Sequence, residues 1–161
     1  MNQLERLKHK LERKTNHNIV FEKTLISLRD NSLKNSIKLK MYLKEHELNL
    51  VTVESVTSGL IASTLTDVGH AGDVLYGAHV VYDTDAKRKW LNITTPNLYN
   101  KETAKQMAKN ILLKSRAMVS LSITGNATPY KDSLGCTGIA HIAVGIRQNI
   151  KDDNIVVYDK K

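Results

Sequence analysis

The sequence predicts an α/β protein in which helices cover both faces of a sheet, and three observations carry that reading. Apolar runs of strand length alternate with segments of helical period along most of the chain. The strand runs are strongly apolar, as strands buried from both sides are. Composition is that of an ordinary globular chain, with 41% hydrophobic and 25% charged residues among 161.

The elements follow in order. Residues 1–32 read as a basic helical arm. Leu4, Leu7 and Leu11 recur at helical spacing among Glu5, Arg6, Lys8, Lys10 and Arg13, a short amphipathic helix in need of a partner surface. Asn16 to Asn18 is expected to break it, and a second apolar cluster follows at Val20, Phe21, Leu25, Ile26 and Leu28. The domain proper is expected over 33–161. It opens with a helix over 33–47, with Leu33, Ile37, Met41 and Leu43 inward. Leu48 to Val53 is a strand, Glu54 to Gly59 a small polar loop, and Leu60 to Asp67 a helix. Val74 to Tyr82 is a strand and Thr84 to Trp90 a short helix in which Trp90 packs. Lys101 to Leu113 is a longer helix, with Asn100 as N-cap and Ala104, Met107, Ala108, Ile111 and Leu112 inward. Met118 to Thr124, Gly138 to Ile146 and Ile155 to Tyr158 close the list of strands.

Bulk chemistry excludes several classes. One cysteine, Cys136, rules out a disulfide framework and a multi-cysteine zinc site. His70, His79 and His141 have no metal-ligand spacing, and no P-loop or GxGxxG fingerprint occurs. No run reaches the ~18 apolar residues of a membrane span, and the charged start lacks the apolar core of a signal peptide. A cytoplasmic protein without a membrane partner is therefore expected. Net charge is +8, from 24 basic and 16 acidic residues. Residues 1–48 hold eleven Lys or Arg and six Asp or Glu, so +5 of the +8 lies in the first third. A basic arm admits a nucleic acid, but neither interleaved aromatics nor a dense basic run supports one.

Three polar segments fall at strand ends, where open α/β sheets bind ligands. In Glu54-Ser55-Val56-Thr57-Ser58-Gly59, a serine between strand and helix is either a helix cap or a group beside free N–H donors that hold an anion or oxyanion. In Tyr82-Asp83-Thr84-Asp85-Ala86-Lys87, the lysine is either one of a solvated basic run, Lys87-Arg88-Lys89, or a base pointing back at the strand end. Thr124-Gly125-Asn126-Ala127-Thr128-Pro129 is either an ordinary turn or part of an anion site.

Together the three segments resemble the C-terminal domain of the CinA family, which includes stand-alone nicotinamide mononucleotide deamidases. The family's Ala-Glu-Ser-Cys-Thr-Gly-Gly-Leu stands here as Val53-Glu54-Ser55-Val56-Thr57-Ser58-Gly59-Leu60. Its Val-Thr-Tyr and Ala-Lys steps stand as Val80-Val81-Tyr82 and Ala86-Lys87, and its Ser-Ile-Ser/Thr-Gly as Ser122-Ile123-Thr124-Gly125. The resemblance implies a three-layer α/β/α sandwich with a mixed sheet, here carrying a helical N-terminal arm. It implies an amidohydrolase that converts nicotinamide mononucleotide to nicotinate mononucleotide and ammonia, without metal or cofactor. Ser55 would be the nucleophile, with Tyr82 and Lys87 moving protons and Thr124 meeting substrate or oxyanion. Glu54, Thr57, Ser58, Gly59 and Gly125 would bind substrate, and a homo-oligomer is expected.

The sequence also departs from the family. Val56 replaces its cysteine and Ser58 its first glycine; Asp83-Thr84 replaces Ser-Asn after the tyrosine. Of its His-Gly-Ala-Val-Ser loop only Leu98-Tyr99-Asn100 remains, Tyr130 to Ser133 replaces a glycine-rich loop, and the family's final helix is expected to be missing. These departures support the alternative of a catalytically inactive homologue that binds a nucleotide or serves assembly.

Overall fold

The computed structural model describes residues 3–128, 137–149 and 154–160, with side chains from residue 21 onward. The elements are α1 (Gln3–Glu45), β1 (Leu50–Glu54), α2 (Leu60–Thr66), β2 (Leu75–Val80), α3 (Thr84–Leu91), α4 (Lys101–Leu113), β3 (Val119–Asn126), β4 (Ile139–Arg147) and β5 (Ile155–Lys160). The strands form one sheet in the order β2-β1-β3-β4-β5. β1 lies parallel to β2 and β3, whereas β4 runs antiparallel to β3 and β5, so the sheet is mixed. No helix among the described residues is long and apolar enough to cross a membrane.

Alternation along β1 divides the core into two layers. Val51 and Val53 face α3 and α4, where they meet Leu91, Ile93, Leu98, Met107, Ile111 and Leu112. Leu50 faces the other way, onto Leu43 of α1, Leu65 of α2 and Val74. The result is the expected α/β/α sandwich. α4 begins and ends where the sequence places it, and the Asn100 carboxamide caps it by accepting from the Thr103 N–H at 2.9 Å. Its other end is held by the buried Arg147 guanidinium, which donates to the carbonyls of Leu112, Ser115 and Ala117.

The contact between α4 and the sheet is built from small residues. Ser120 Oγ donates to the Ala108 carbonyl at 2.8 Å, and Ser122 Oγ to the Ala104 carbonyl at 2.7 Å. These bonds satisfy the two buried serine hydroxyls, and they draw the helix onto the sheet. At Gly145 a Cβ would stand 2.6 Å from Ser120 Oγ and 3.0 Å from Leu112 Cδ1. Gly145→Ala is therefore expected to destabilise the protein by about 1–3 kcal/mol through overpacking, read as a lower urea midpoint at unchanged slope.

Three expectations are corrected. Asn16 to Asn18 does not break the arm: α1 is one helix of 43 residues, about 64 Å long, running through the expected boundary at 32. Asn lowers helix propensity by only a few tenths of a kcal/mol, and the segment holds neither Gly nor Pro. The inward face of its C-terminal half is Leu33, Leu39 and Leu43, while Ile37 and Met41 are exposed. Lys40 and Lys44 fasten this half by donating to the Val68 and Gly69 carbonyls and to Asp73. Trp90 does not pack inward; it is 58% exposed, on the outer side of α3.

Candidate active site

Register brings the three polar segments to one end of the sheet. Glu54 pairs with Val80 on one side and Ile123 on the other, so Ser55 and Tyr82 follow closely on the carboxyl ends of β1 and β2, and Gly125 lies in the last residues of β3. They line an open cleft of about 1020 Å³, together with Val56, Asp83, Arg88, Asn97 and Tyr99 among others. This is the strand-end crevice in which α/β sheets bind ligands.

Ser55 is held from both sides. Its N–H donates to the Ile123 carbonyl at 3.1 Å, which extends the sheet by one residue, and its carbonyl accepts from the Ser58 N–H at 3.0 Å, which closes a tight turn. The turn uses left-handed backbone at Ser58 (φ 52°) and Gly59 (φ 95°). A Cβ at Gly59 would also press Val80 Cγ2 at 3.3 Å, so glycine is the residue this position takes. The Ser55 hydroxyl is nearly buried and has no hydrogen-bond partner among the described residues. The same holds for the N–H groups of Val56, Thr57 and Gly59, which find no acceptor there.

Glu54 takes a different place from the one expected of a substrate-binding residue. It is fully buried, and its carboxylate accepts from Thr52 Oγ1 (3.2 Å), Thr57 Oγ1 (2.8 Å), Ile61 N (3.0 Å) and Ala62 N (2.9 Å). Two of these donors are orphan N–H groups in the first turn of α2, where a negative charge is also favoured. Glu54 thus anchors α2 to β1 beneath the Ser55 turn. Thr57 shares that anchor; Ser58 is exposed beside it.

Lys87 is not part of a solvated basic face. It is fully buried, unlike its neighbours Arg88 and Lys89. Asp83 caps α3 by accepting from the Asp85 N–H at 2.7 Å, and the helix then carries Lys87 inward. Nζ donates to the Tyr82 carbonyl at 3.1 Å and lies 5.9 Å from the centre of the Tyr99 ring. Burial pushes the lysine pKa below its ordinary 10.5, partly opposed by the Asp83 charge. Tyr82 contributes its carbonyl to Lys87 and its side chain, 70% exposed, to the mouth of the cleft.

Thr124 and Gly125 divide the third segment. The Thr124 hydroxyl is fully buried and donates to the Leu98 carbonyl at 2.9 Å, so it secures the 96–99 wall rather than facing the cleft. Gly125 lines the cleft, and a Cβ there would stand 2.5 Å from the Ile139 carbonyl. Pro129 to Cys136 lie outside the described residues. Sequence reasoning missed Arg88, Asn97 and Tyr99 as lining residues. Arg88 had one available signal: it follows Lys87 on a short helix that starts at the strand end.

The CinA C-terminal domain matches residues 31–160 of this chain. The chain belongs to the CinA family. A protein of Natranaerobius thermophilus that bears the competence-damage inducible name is 39% identical over 98 residues, 58% of this chain and 24% of that protein. The Mycoplasma pneumoniae protein named MG115 homolog is 33% identical over 92 residues, 54% of this chain and 59% of that one. The crystal structure of a competence/damage inducible protein from Agrobacterium tumefaciens superposes with a TM-score of 0.69 at 29% identity, covering 80% of this chain and 79% of the other. The chain thus spans between about a quarter and three-fifths of these curated relatives' length. Within the CinA match, the turn that begins at Ser55 follows β1 and the helix that buries Lys87 follows the parallel strand β2, at the same end of the sheet.

Proposed function

We propose that this CinA domain is a serine amidohydrolase that deamidates nicotinamide mononucleotide to nicotinate mononucleotide and ammonia. The observation that carries the reading is that Ser55, buried at the cleft and without a hydrogen-bond partner among the described residues, shares one end of the sheet with a buried lysine whose Nζ sits against Tyr82 and Tyr99, two residues lining that cleft. A lysine held below its ordinary pKa is a competent base for a serine hydroxyl.

Neutral Lys87 takes the proton as Ser55 Oγ attacks the carboxamide carbon. The oxyanion is met by N–H groups of the 55–59 turn, that of Val56 first, which have no acceptor among the described residues. Lys87 returns the proton to the departing nitrogen, the C–N bond breaks, and ammonia leaves an ester on Ser55. Water, deprotonated by the same lysine, then hydrolyses the ester to the carboxylic acid and regenerates the serine. The substrate's parts fit the wall chemistry: Tyr82, Tyr99 and Asp83 suit a pyridinium cation, and Arg88 suits a phosphate.

Ammonia release should be measured with nicotinamide mononucleotide, nicotinamide riboside and nicotinamide. The reading expects the mononucleotide to have the highest kcat/KM, and Arg88→Ala to raise its KM several-fold more than that of the riboside. Nucleotide binding without ammonia from any of the three would replace the reading with that of a silent binding homologue.

A further inference from the structure

Between residues 21 and 28, α1 carries an apolar stripe that no described residue covers. Leu39 and Leu43 carry one line of this helix into the core. The same line continues outward through Leu28, Leu25 and Phe21, which are 57%, 48% and 59% exposed. Helical periodicity extends it in the sequence to Leu11, Leu7 and Leu4. Over residues 4–28 these positions form a heptad repeat, with Leu4, Leu11, Asn18 and Leu25 at a and Leu7, Lys14, Phe21 and Leu28 at d.

The order of these core positions is Leu, Leu, Leu, Lys, Asn, Phe, Leu, Leu, in which apolar and polar places read alike in both directions. An antiparallel pairing sets a against d, so Leu4 meets the partner's Leu28, Leu7 the partner's Leu25, Leu11 the partner's Phe21, and Lys14 the partner's Asn18. Every apolar layer is then fully apolar, and the two polar layers fall together at the centre. The flanking e positions also agree, because Lys8 comes opposite the partner's Glu22 twice by symmetry. A parallel pairing in register would instead stack Lys14 on the partner's Lys14 inside the core, which like charges oppose.

We infer that α1 is a dimerisation arm: residues 4–28 pair with the same segment of a second copy as an antiparallel two-stranded coiled coil. The pair is isologous and closes on itself. Its centre lies near residue 16, so the two domains, which begin to pack at Leu33, are held at opposite ends of the coil with both clefts open. The inference does not depend on the proposed chemistry.

Sedimentation equilibrium of the full chain is expected to give twice the 18.1 kDa chain mass. Leu25→Asp, in the exposed part of the arm, is expected to return the monomer with thermal unfolding of the domain unchanged. Lys8→Glu alone should weaken the dimer about tenfold by turning two attractive pairs into repulsive ones, and Lys8→Glu with Glu22→Lys should restore it. Spin labels at Asp30→Cys, in a Cys136→Ser background, should lie about 40 Å apart. A monomeric parent, a dimer indifferent to Leu25→Asp, a charge-swapped pair that fails to recover, or labels within about 25 Å of each other would each overturn the inference.

Discussion

Replacing Lys87 by methionine is expected to abolish ammonia release and, at neutral pH, to leave the protein about 1 kcal/mol more stable than its parent. Both effects come from one placement. Lys87 is fully buried with a single hydrogen bond among the described residues, to the Tyr82 carbonyl, so its charged form has lost water without gaining an ion pair there. Burial lowers its pKa in the folded state, and Asp83 offsets only part of that. The unfolded chain therefore binds this proton more tightly than the folded one. Stability from this site is highest where the lysine is neutral in both states, is lost as pH falls from the unfolded value of 10.5 through the folded value, and is constant below. The methionine variant lacks that loss, so its advantage should shrink as pH rises toward 10.5. Activity is expected to follow the same group with the opposite consequence, because the proposed mechanism uses the neutral amine as base. The parent's kcat/KM should rise with pH along a limb whose midpoint lies below that of free lysine. Chemical unfolding at several pH values and the pH–rate profile check the two halves separately.

Removing the Glu54 carboxylate is expected to produce the largest loss of stability in the molecule. Glu54→Ala leaves two backbone N–H groups at the start of α2 and the hydroxyls of Thr52 and Thr57 without their acceptor in a buried place. The expected cost is about 3–5 kcal/mol. Glu54→Gln keeps the volume but turns a donor toward donors, and should cost about half as much. α2 has only seven residues and its N-cap, Gly59, supplies no side-chain bond, so this carboxylate does the capping from the adjacent strand. The glutamine variant should also lose activity beyond its loss of fold, since the anchor sits under the turn that presents Ser55. Urea midpoints read the first effect, and kcat measured well below the transition reads the second.

Much of the frame was legible because its signals are local. α4 has a clear apolar stripe and an Asn cap, and both hold in the structure. The strand order required more, since no local pattern says that β4 turns back antiparallel beside β3. Ser55, Tyr82 and Lys87 were singled out by their place at strand ends and by the family resemblance, but whether Lys87 faced water or turned inward depended on the direction α3 takes after Asp83. Glu54 and Thr124 look alike to the sequence, as polar residues at strand ends; tertiary partners make one a helix anchor and the other a brace for Leu98. Arg88 escaped notice because a basic run usually faces water, and its contribution to the cleft is visible only once α3 is set beside the 96–99 wall. The arm was misjudged at Asn16 to Asn18, where mild propensity penalties were read as a stop.

The central claim is that Ser55 performs acyl transfer on the carboxamide of nicotinamide mononucleotide. Its most direct test is ammonia release from that substrate by the parent and by Ser55→Ala, with binding of nicotinate mononucleotide as the check that the cleft is intact. The account predicts steady ammonia production by the parent, and a loss of at least a thousandfold (about 4 kcal/mol of barrier) in the variant with product binding retained. Ammonia released equally by both proteins, or by neither while product still binds, would contradict it.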